Sequence, residues 1–269
     1  EKDGAWWFRS SDLGDEKDRV VIRANGSHTY FATDIAYHME KLDRGFDQLI
    51  NVWGSDHHGY ISRMKAAIAA LDRNPNDLTV LTVQFAALYR DGEKVSMSTR
   101  SGEFITMREL FEEVGLDAAR FFYVLRKPEQ HMDFDLDLAK TQSNDNPVYY
   151  VQYAHARICT ILKKAKEEKY EWDNSINLEL LIKNKENELI VKMINFPEII
   201  KSAHDKLDPQ IISNYLEDLA AKFHKYYAQS RIITDDKNLS YSRLFLIDSI
   251  RIILNNGLSI LGIKAKERM

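Results

Sequence analysis

"QLINVWGSDHHGYISRMKAAIAALDRNPNDLTVLTVQFAAL", residues 48–88, decides the fold. Its two short apolar runs, "QLINVW" and "LTVLTVQFAAL", read as buried parallel strands, which need no polar alternation. Between them "GYISRMKAAIAALDR" has helical spacing. Strand, helix, strand is the βαβ unit of an open α/β sheet. Upstream, "RVVIRANGSHTYFATDI", residues 19–35, reads as a hairpin turning at Asn25-Gly26. "TDIAYHMEKLD", residues 33–43, reads as a helix beginning near Thr33. From Asn146 on, no strand is expected. "NPVYYVQYAHARICTILKKAKEE", residues 146–168, opens with an Asn cap and Pro at the first helical position. Three more helical patterns follow, at 177–204, 209–231 and 241–262. The expected fold class is α/β followed by all-α, with a seam in "KTQSNDNP" that divides the chain into 1–144 and 145–269.

Composition sets limits. A chain of 269 residues suggests two domains at roughly 150 residues each. No run approaches the ~18 consecutive apolar residues of a membrane span. The opening "EKDGAWWFRSSD" is not a signal peptide. A single cysteine, Cys159, reads as small core filler and points to a reducing, cytoplasmic compartment. The net charge of −4 argues against a general polyanion binder. Residues 145–269 hold 19 Lys/Arg against 17 Asp/Glu, which suits an RNA-facing surface as well as a solvated one.

Three stretches carry side chains suited to chemistry. "GSDHHG", residues 54–59, follows a strand and precedes a helix, where open α/β sheets bind ligands. Gly54 and Gly59 permit close backbone approach, Asp56 suits ribose hydroxyls, and His57 and His58 suit phosphate, ribose or substrate. The same Asp-His-His set, joined by Asp34 and His38, also suits the metal site of a phosphoesterase. "TYFATDIAYH", residues 29–38, sets Tyr30 four residues before Asp34. A carboxylate beside an aromatic face suits a planar cation such as guanidinium, although an Asp in a first helical turn also complements the helix dipole. "DGEKVSMSTRSGEF", residues 91–104, combines two glycines, Ser96, Ser98 and Thr99 with Lys94 and Arg100, a set able to wrap a polyphosphate or to form a solvated turn.

In order and spacing, "GAWWFRSSDLGDEKDRVVIR", "TYFATDIAYHMEK", "VWGSDHHGYISR", "VSMSTRSGEF", "DAARFFYVLR", "DFDLDLA", "NPVYYVQYAHARI" and "LGIKAKERM" resemble the C-terminal part of the arginyl-tRNA synthetases, class I aminoacyl-tRNA synthetases, of the bacterial branch. The resemblance implies the second half of a Rossmann-like nucleotide-binding domain plus a helical-bundle anticodon-binding (DALR) domain. It implies that Tyr30, Asp34, Tyr37 and His58 line the arginine pocket. Gly54, Asp56 and His57 would hold the ribose of ATP, and Val83 and Gln84 would meet adenine through backbone groups. "SMSTR" stands at the KMSKS loop, so that Ser96, Met97, Ser98 and Thr99 contact ATP and Lys94, Ser98 and Arg100 act on the leaving pyrophosphate. The second Lys of KMSKS is Thr99 here, which leaves one cation fewer. "DAAR", residues 117–120, matches the DALR element, in a structural role. Tyr149, Tyr153 and Arg157, with Tyr226, Tyr227 and Met269, would face the anticodon, since single-stranded bases stack on aromatic and guanidinium faces.

By this resemblance the substrates are L-arginine, ATP with Mg²⁺ and tRNA(Arg), with no tightly held protein-ligated metal, no membrane association and a monomeric intact enzyme. The HIGH element is absent from the sequence, so the chain is expected to be a C-terminal fragment that does not activate arginine by itself. The competing readings are the phosphoesterase and a non-catalytic tRNA-binding module.

Overall fold

The computed structural model describes residues 1–96, 105–170 and 176–269. They form two compact units, 1–85 with 128–131, and 86–127 with 132–269.

In the first unit β1 (Trp6–Phe8) pairs antiparallel with β2 (Arg19–Ile22). The Asn25-Gly26 turn is present, but its return arm is only an isolated bridge between Ile22 and His28. The expected second hairpin strand is therefore absent. Thr29 Oγ1 accepts the Ala32 N–H and starts α1 (Tyr30–Asp43) three residues earlier than Thr33. β3 (Leu49–Gly54), a 3-10 segment (Ser55–Tyr60), α2 (Ile61–Ala70) and β4 (Leu78–Val83) form the expected βαβ unit, with β3 and β4 parallel from Leu49↔Leu78 to Gly54↔Val83. Phe31, Leu42, Leu49, Met64, Ala67, Ile68 and Leu78 form its core. β3 alternates, burying Leu49 and Asn51 and exposing Ile50 and Val52, so it is not buried on both faces.

The run "LTVLTVQFAAL" is two strands, not one. β4 ends at Val83, and β5 (Ala86–Arg90) belongs to a second sheet with β6 (Glu93–Lys94), antiparallel, and β7 (Met132–Asp135), parallel. The backbone leaves the ladder at Gln84, whose N–H donates to Pro128 O at 2.7 Å. Between β6 and β7 lie α3 (Met107–Val114), started by a Thr106–Glu109 capping box, and α4 (Leu116–Val124). Gly115, at φ +83°, lets the chain turn between them.

Beyond β7, α5 (Leu136–Lys140) precedes the helical array of α6 (Pro147–Glu167), α7 (Asn184–Ile194), α8 (Phe196–Lys206), α9 (Gln210–Gln229) and α10 (Lys237–Ile260). Asn146 caps α6, and its buried amide also donates to Ala139 O and Thr141 O, so the polar seam is an anchored corner. The single helix expected over 177–204 is α7 and α8. Pro197 has no N–H for a continuing helix, and the chain breaks at Asn195. One core runs from Leu88 and Phe134 through Ile158, Leu216 and Phe223 to Ile250 and Ile263. The second sheet thus shares its core with the bundle, and the packing boundary falls at 85/86 rather than in 140–147.

Candidate functional site

Because α1 starts at Tyr30, Asp34 lies in its second turn rather than its first, one turn beyond Tyr30 on the same face. The Tyr30 ring is 76% exposed. Asp34 Oδ2 accepts a hydrogen bond from Tyr60 Oη at 2.8 Å. Tyr60 ends the 3-10 segment and is wedged edge-on against Trp53 and Phe31, with the Arg63 guanidinium 4.7 Å over its ring. Burial, then the bond to Asp34, pushes the Tyr60 phenol far above its ordinary value, so it remains a donor. Tyr37 is exposed and already carries Lys41 Nζ over its ring at 4.2 Å. His57 and His58 are exposed on the 3-10 turn.

Arg63 leads back to a buried carboxylate, with Nε 3.9 Å from Asp15 Oδ2. Asp15 takes both arms of Arg19, at 2.7 and 2.9 Å, with further donors from Ser10 and the Glu16 N–H. The Arg19 hydrogen bonds are the chief reason its carboxyl is held well below the ordinary 3.8. A depressed folded-state pKa gives stability that is present above the ordinary value and lost as pH falls below it. The first unit is therefore expected to weaken in urea below about pH 4, and Asp15→Asn to flatten that acid limb while lowering stability at pH 7. Unfolding followed through tryptophan fluorescence, to which Trp6, Trp7 and Trp53 of the first unit contribute, checks this at each pH, and an unchanged acid limb in the variant would refute it.

His38 overturns the phosphoesterase reading. It is buried, its Nδ1–H donates to Asp34 O at 2.7 Å, and its Nε2 accepts from Asn51 Nδ2 at 2.7 Å. No ring lone pair remains for a metal. Among the described residues, no group of three or more His, Cys, Asp or Glu stands where it could hold an ion.

The register Gly54↔Val83 brings the ends of β3 and β4 side by side. Ser55 Oγ donates to Gln84 Oε1 at 2.9 Å and ties the 3-10 turn to the end of β4. The Asp56 carboxylate folds back over Gly54, with Oδ1 2.5 Å from where a Cβ would stand, so a side chain at 54 would displace that carboxylate. His57 Nε2 lies 3.6 Å from Asp56 Oδ2. The Gln84 N–H is spent on Pro128 O, and Val83 before it is exposed at the end of β4.

In the second unit Lys94 ends β6, and Ser96 follows, both exposed. Met97, Ser98, Thr99 and Arg100 lie outside the described residues. On α6, Tyr149 and Tyr153 stack at 5.9 Å, and the Arg157 guanidinium covers Tyr153 at 4.4 Å and Tyr227 at 5.1 Å. Sequence reasoning missed His224, which lies between Phe223 and Tyr226 in the same stretch. Its ring stacks on Tyr153 at 5.8 Å, its Nδ1 accepts from Arg157, and its Nε2 faces Tyr150 O. Burial pushes its pKa down, and Arg157 adds to that. A groove of about 900 Å³ runs here, lined by Tyr153, Arg157, Tyr227, Lys163, Lys166 and Met269. Cys159 lines it too and is half-buried, so it is not core filler. Tyr226 is a correction. It is 0% exposed, and its hydroxyl donates to the buried Glu186 at 3.0 Å, so no base can stack on it.

The segment after α10 lies along α4 and α6. Asp117 Oδ1 accepts from Lys264 N, Gln152 Nε2 donates to Asp117 and Lys264 O, and His155 Nδ1 donates to Lys266 O. Arg120 lies against Gly262. The "DAAR" residues thus hold the 262–266 segment, which explains their structural character.

A βαβ unit with a glycine-flanked polar turn at its strand ends, followed by a helical array with an aromatic–guanidinium groove, has the architecture of a class I aminoacyl-tRNA synthetase. Residues 1–158 match the family described as "tRNA synthetases class I (R), catalytic domain", and residues 151–269 match "DALR anticodon binding domain". The chain belongs to the arginyl-tRNA synthetase family. It is 55% identical over 272 residues to the arginine–tRNA ligase of Legionella pneumophila (strain Corby) and 57% identical to that of Hydrogenovibrio crunogenus, with the whole chain covered in each case. The fold superposes on a Campylobacter jejuni chain described as an arginyl-tRNA synthetase, at TM-score 0.89 and 36% identity, over all of this chain and 58% of that one. The chain spans 46% of the length of the curated relatives it matches. Among the described residues, no helix is long and apolar enough to cross a membrane.

Proposed function

We propose that the chain supplies one side of an arginine-activating site and the anticodon-reading part of an arginyl-tRNA synthetase, working in the cytoplasm as part of a monomeric enzyme. The carboxylate of L-arginine attacks the α-phosphorus of ATP, held with Mg²⁺, pyrophosphate leaves, and the arginyl group of the adenylate passes to tRNA(Arg). Tyr30 and Asp34 grip the guanidinium, with Tyr37 and His58 beside them. Gly54, Asp56 and His57 hold the ribose, and Val83 and Gln84 meet adenine. Lys94 and the Ser96, Met97, Ser98, Thr99 and Arg100 stretch meet the phosphates, where charge accumulates on the leaving group. Residues 1–144 form the catalytic part and 145–269 the anticodon-binding part, an order supported by the catalytic-domain match over 1–158 and the anticodon-binding match over 151–269.

The observation that carries this reading is the exposed Tyr30 ring one helical turn from a carboxylate already oriented by a phenol. The test is arginine-dependent ATP–pyrophosphate exchange by a full-length synthetase that carries this chain. Exchange that ignores arginine, or responds to another amino acid, refutes it.

In the helical part, Tyr149, Tyr153, Arg157, Tyr227 and Met269 are the RNA-facing residues. Tyr153→Ala is expected to weaken tRNA(Arg) binding by about 1–3 kcal/mol. Arg157→Ala should also flatten the dependence of affinity on salt, if its guanidinium neutralises a phosphate. Filter binding across a salt series checks both, with circular dichroism to confirm an intact fold. Undiminished affinity in a folded Tyr153→Ala protein would remove this groove from the reading.

A further inference from the structure

We propose that Tyr60 is a positioning residue of the amino-acid pocket, whose hydroxyl fixes the Asp34 carboxylate in the orientation that receives a guanidinium. The inference rests on reading Asp34 as the guanidinium partner and adds the residue through which that carboxylate is held. An aspartate on a half-exposed helix face has free rotamers, and pairing with a cation would cost that freedom. Here Oδ2 is committed to the Tyr60 hydroxyl at 2.8 Å. Oδ1 is left to lead the pairing, and the second lone pair of Oδ2 can still accept the other arm of the fork.

Tyr60 can act in this way because its ring is packed on several sides. Trp53 and Phe31 meet its ring edge-on, at 5.7 and 5.9 Å. Arg63 covers the ring at 4.7 Å and reaches toward Asp15, which is locked by both arms of Arg19. A continuous set of contacts therefore runs from a buried ion pair to the carboxylate at the pocket. The fork geometry of guanidinium makes orientation matter, since a planar donor pair reads the plane of the carboxylate and a point charge does not.

The experiment uses a full-length synthetase containing this chain. Tyr60→Phe keeps the ring and removes the donor. The arginine KM is expected to rise about tenfold, the size of one hydrogen bond to a charged group. The ATP KM, the melting temperature and kcat at saturating arginine should stay within about twofold or a degree or two of wild type. In an Asp34→Asn background the same substitution should add no further rise, because the group it orients is no longer a carboxylate. An unchanged arginine KM in Tyr60→Phe overturns the inference. So does a joint rise of both KM values with a lower melting temperature, or full additivity with Asp34→Asn. If Asp34→Asn alone leaves the arginine KM unchanged, the underlying reading of Asp34 has failed, and this inference falls with it.

Discussion

Replacing Asp34 by asparagine is expected to raise the arginine KM at least tenfold in a full-length synthetase that carries this chain. The substitution is nearly isosteric, and it turns a carboxylate into an amide that offers one acceptor and one donor group. A guanidinium offers only donors, so the new amide N–H₂ faces the substrate with no partner. One charge-assisted pair is lost, worth about 1.5–3 kcal/mol, or one to two powers of ten in affinity. Two observations keep the effect local. Tyr60 can donate to the asparagine Oδ1 as it does to the carboxylate, and the His38 bond goes to the Asp34 backbone carbonyl, which the substitution does not touch. The melting temperature should therefore hold, and the ATP KM with it. Steady-state exchange with arginine and ATP varied separately decides the matter, and an unchanged arginine KM would remove Asp34 from the pocket.

Glu186→Ala is expected to destabilise the second unit by about 3–5 kcal/mol. Glu186 is fully buried, and Oε1 receives both Arg243 Nε at 2.8 Å and Tyr226 Oη at 3.0 Å. Its Oε2 accepts the Lys183 N–H at the start of α7. Truncation leaves Arg243, 4% exposed, with a buried cation whose other partner among the described residues is the Arg231 carbonyl. It also strands a buried phenol and uncaps a helix. Removing one partner of such a pair costs far more than the pair contributes, because the other charge stays desolvated. The double change Glu186→Met with Arg243→Met should recover most of the loss, since two apolar side chains leave no charge behind. Urea unfolding of both variants tests this, and a loss under about 1 kcal/mol for Glu186→Ala would show that water reaches Arg243.

How far the sequence carried depended on the range of the forces involved. The Asn146-Pro147 start of α6, the Thr106–Glu109 capping box and the βαβ order of 48–83 are local patterns, and each stands in the fold. The break at Pro197 was as local as these and could have been read from the missing N–H alone. The other corrections were not local. Nothing in "LTVLTVQFAAL" says that the backbone leaves one ladder at Gln84, because that depends on Pro128, far along the chain. Tyr226 and Tyr227 are alike in sequence but about 100° apart around a helix. Only the packing of α9 decides that one is sealed against Glu186 and the other stands at the groove.

The same division runs through the candidate site. The "GSDHHG" turn, the Tyr30–Asp34 spacing and the tyrosines of α6 were legible, because glycine, carboxylate and aromatic side chains carry their chemistry with them. In the sequence alone His38 reads as a possible ligand, because its two partners, the Asp34 carbonyl and Asn51, are set by helix geometry and a neighbouring strand. Nothing in the sequence marks Tyr60, because it is 26 residues from the carboxylate it holds. By itself the sequence determined the order of elements and the kinds of side chain at the strand ends, since propensity, capping and period act over a few residues. The tertiary structure alone decided which of those side chains are already spent on a neighbour and which remain open to a ligand, since burial and hydrogen-bond pairing join residues that the chain keeps far apart.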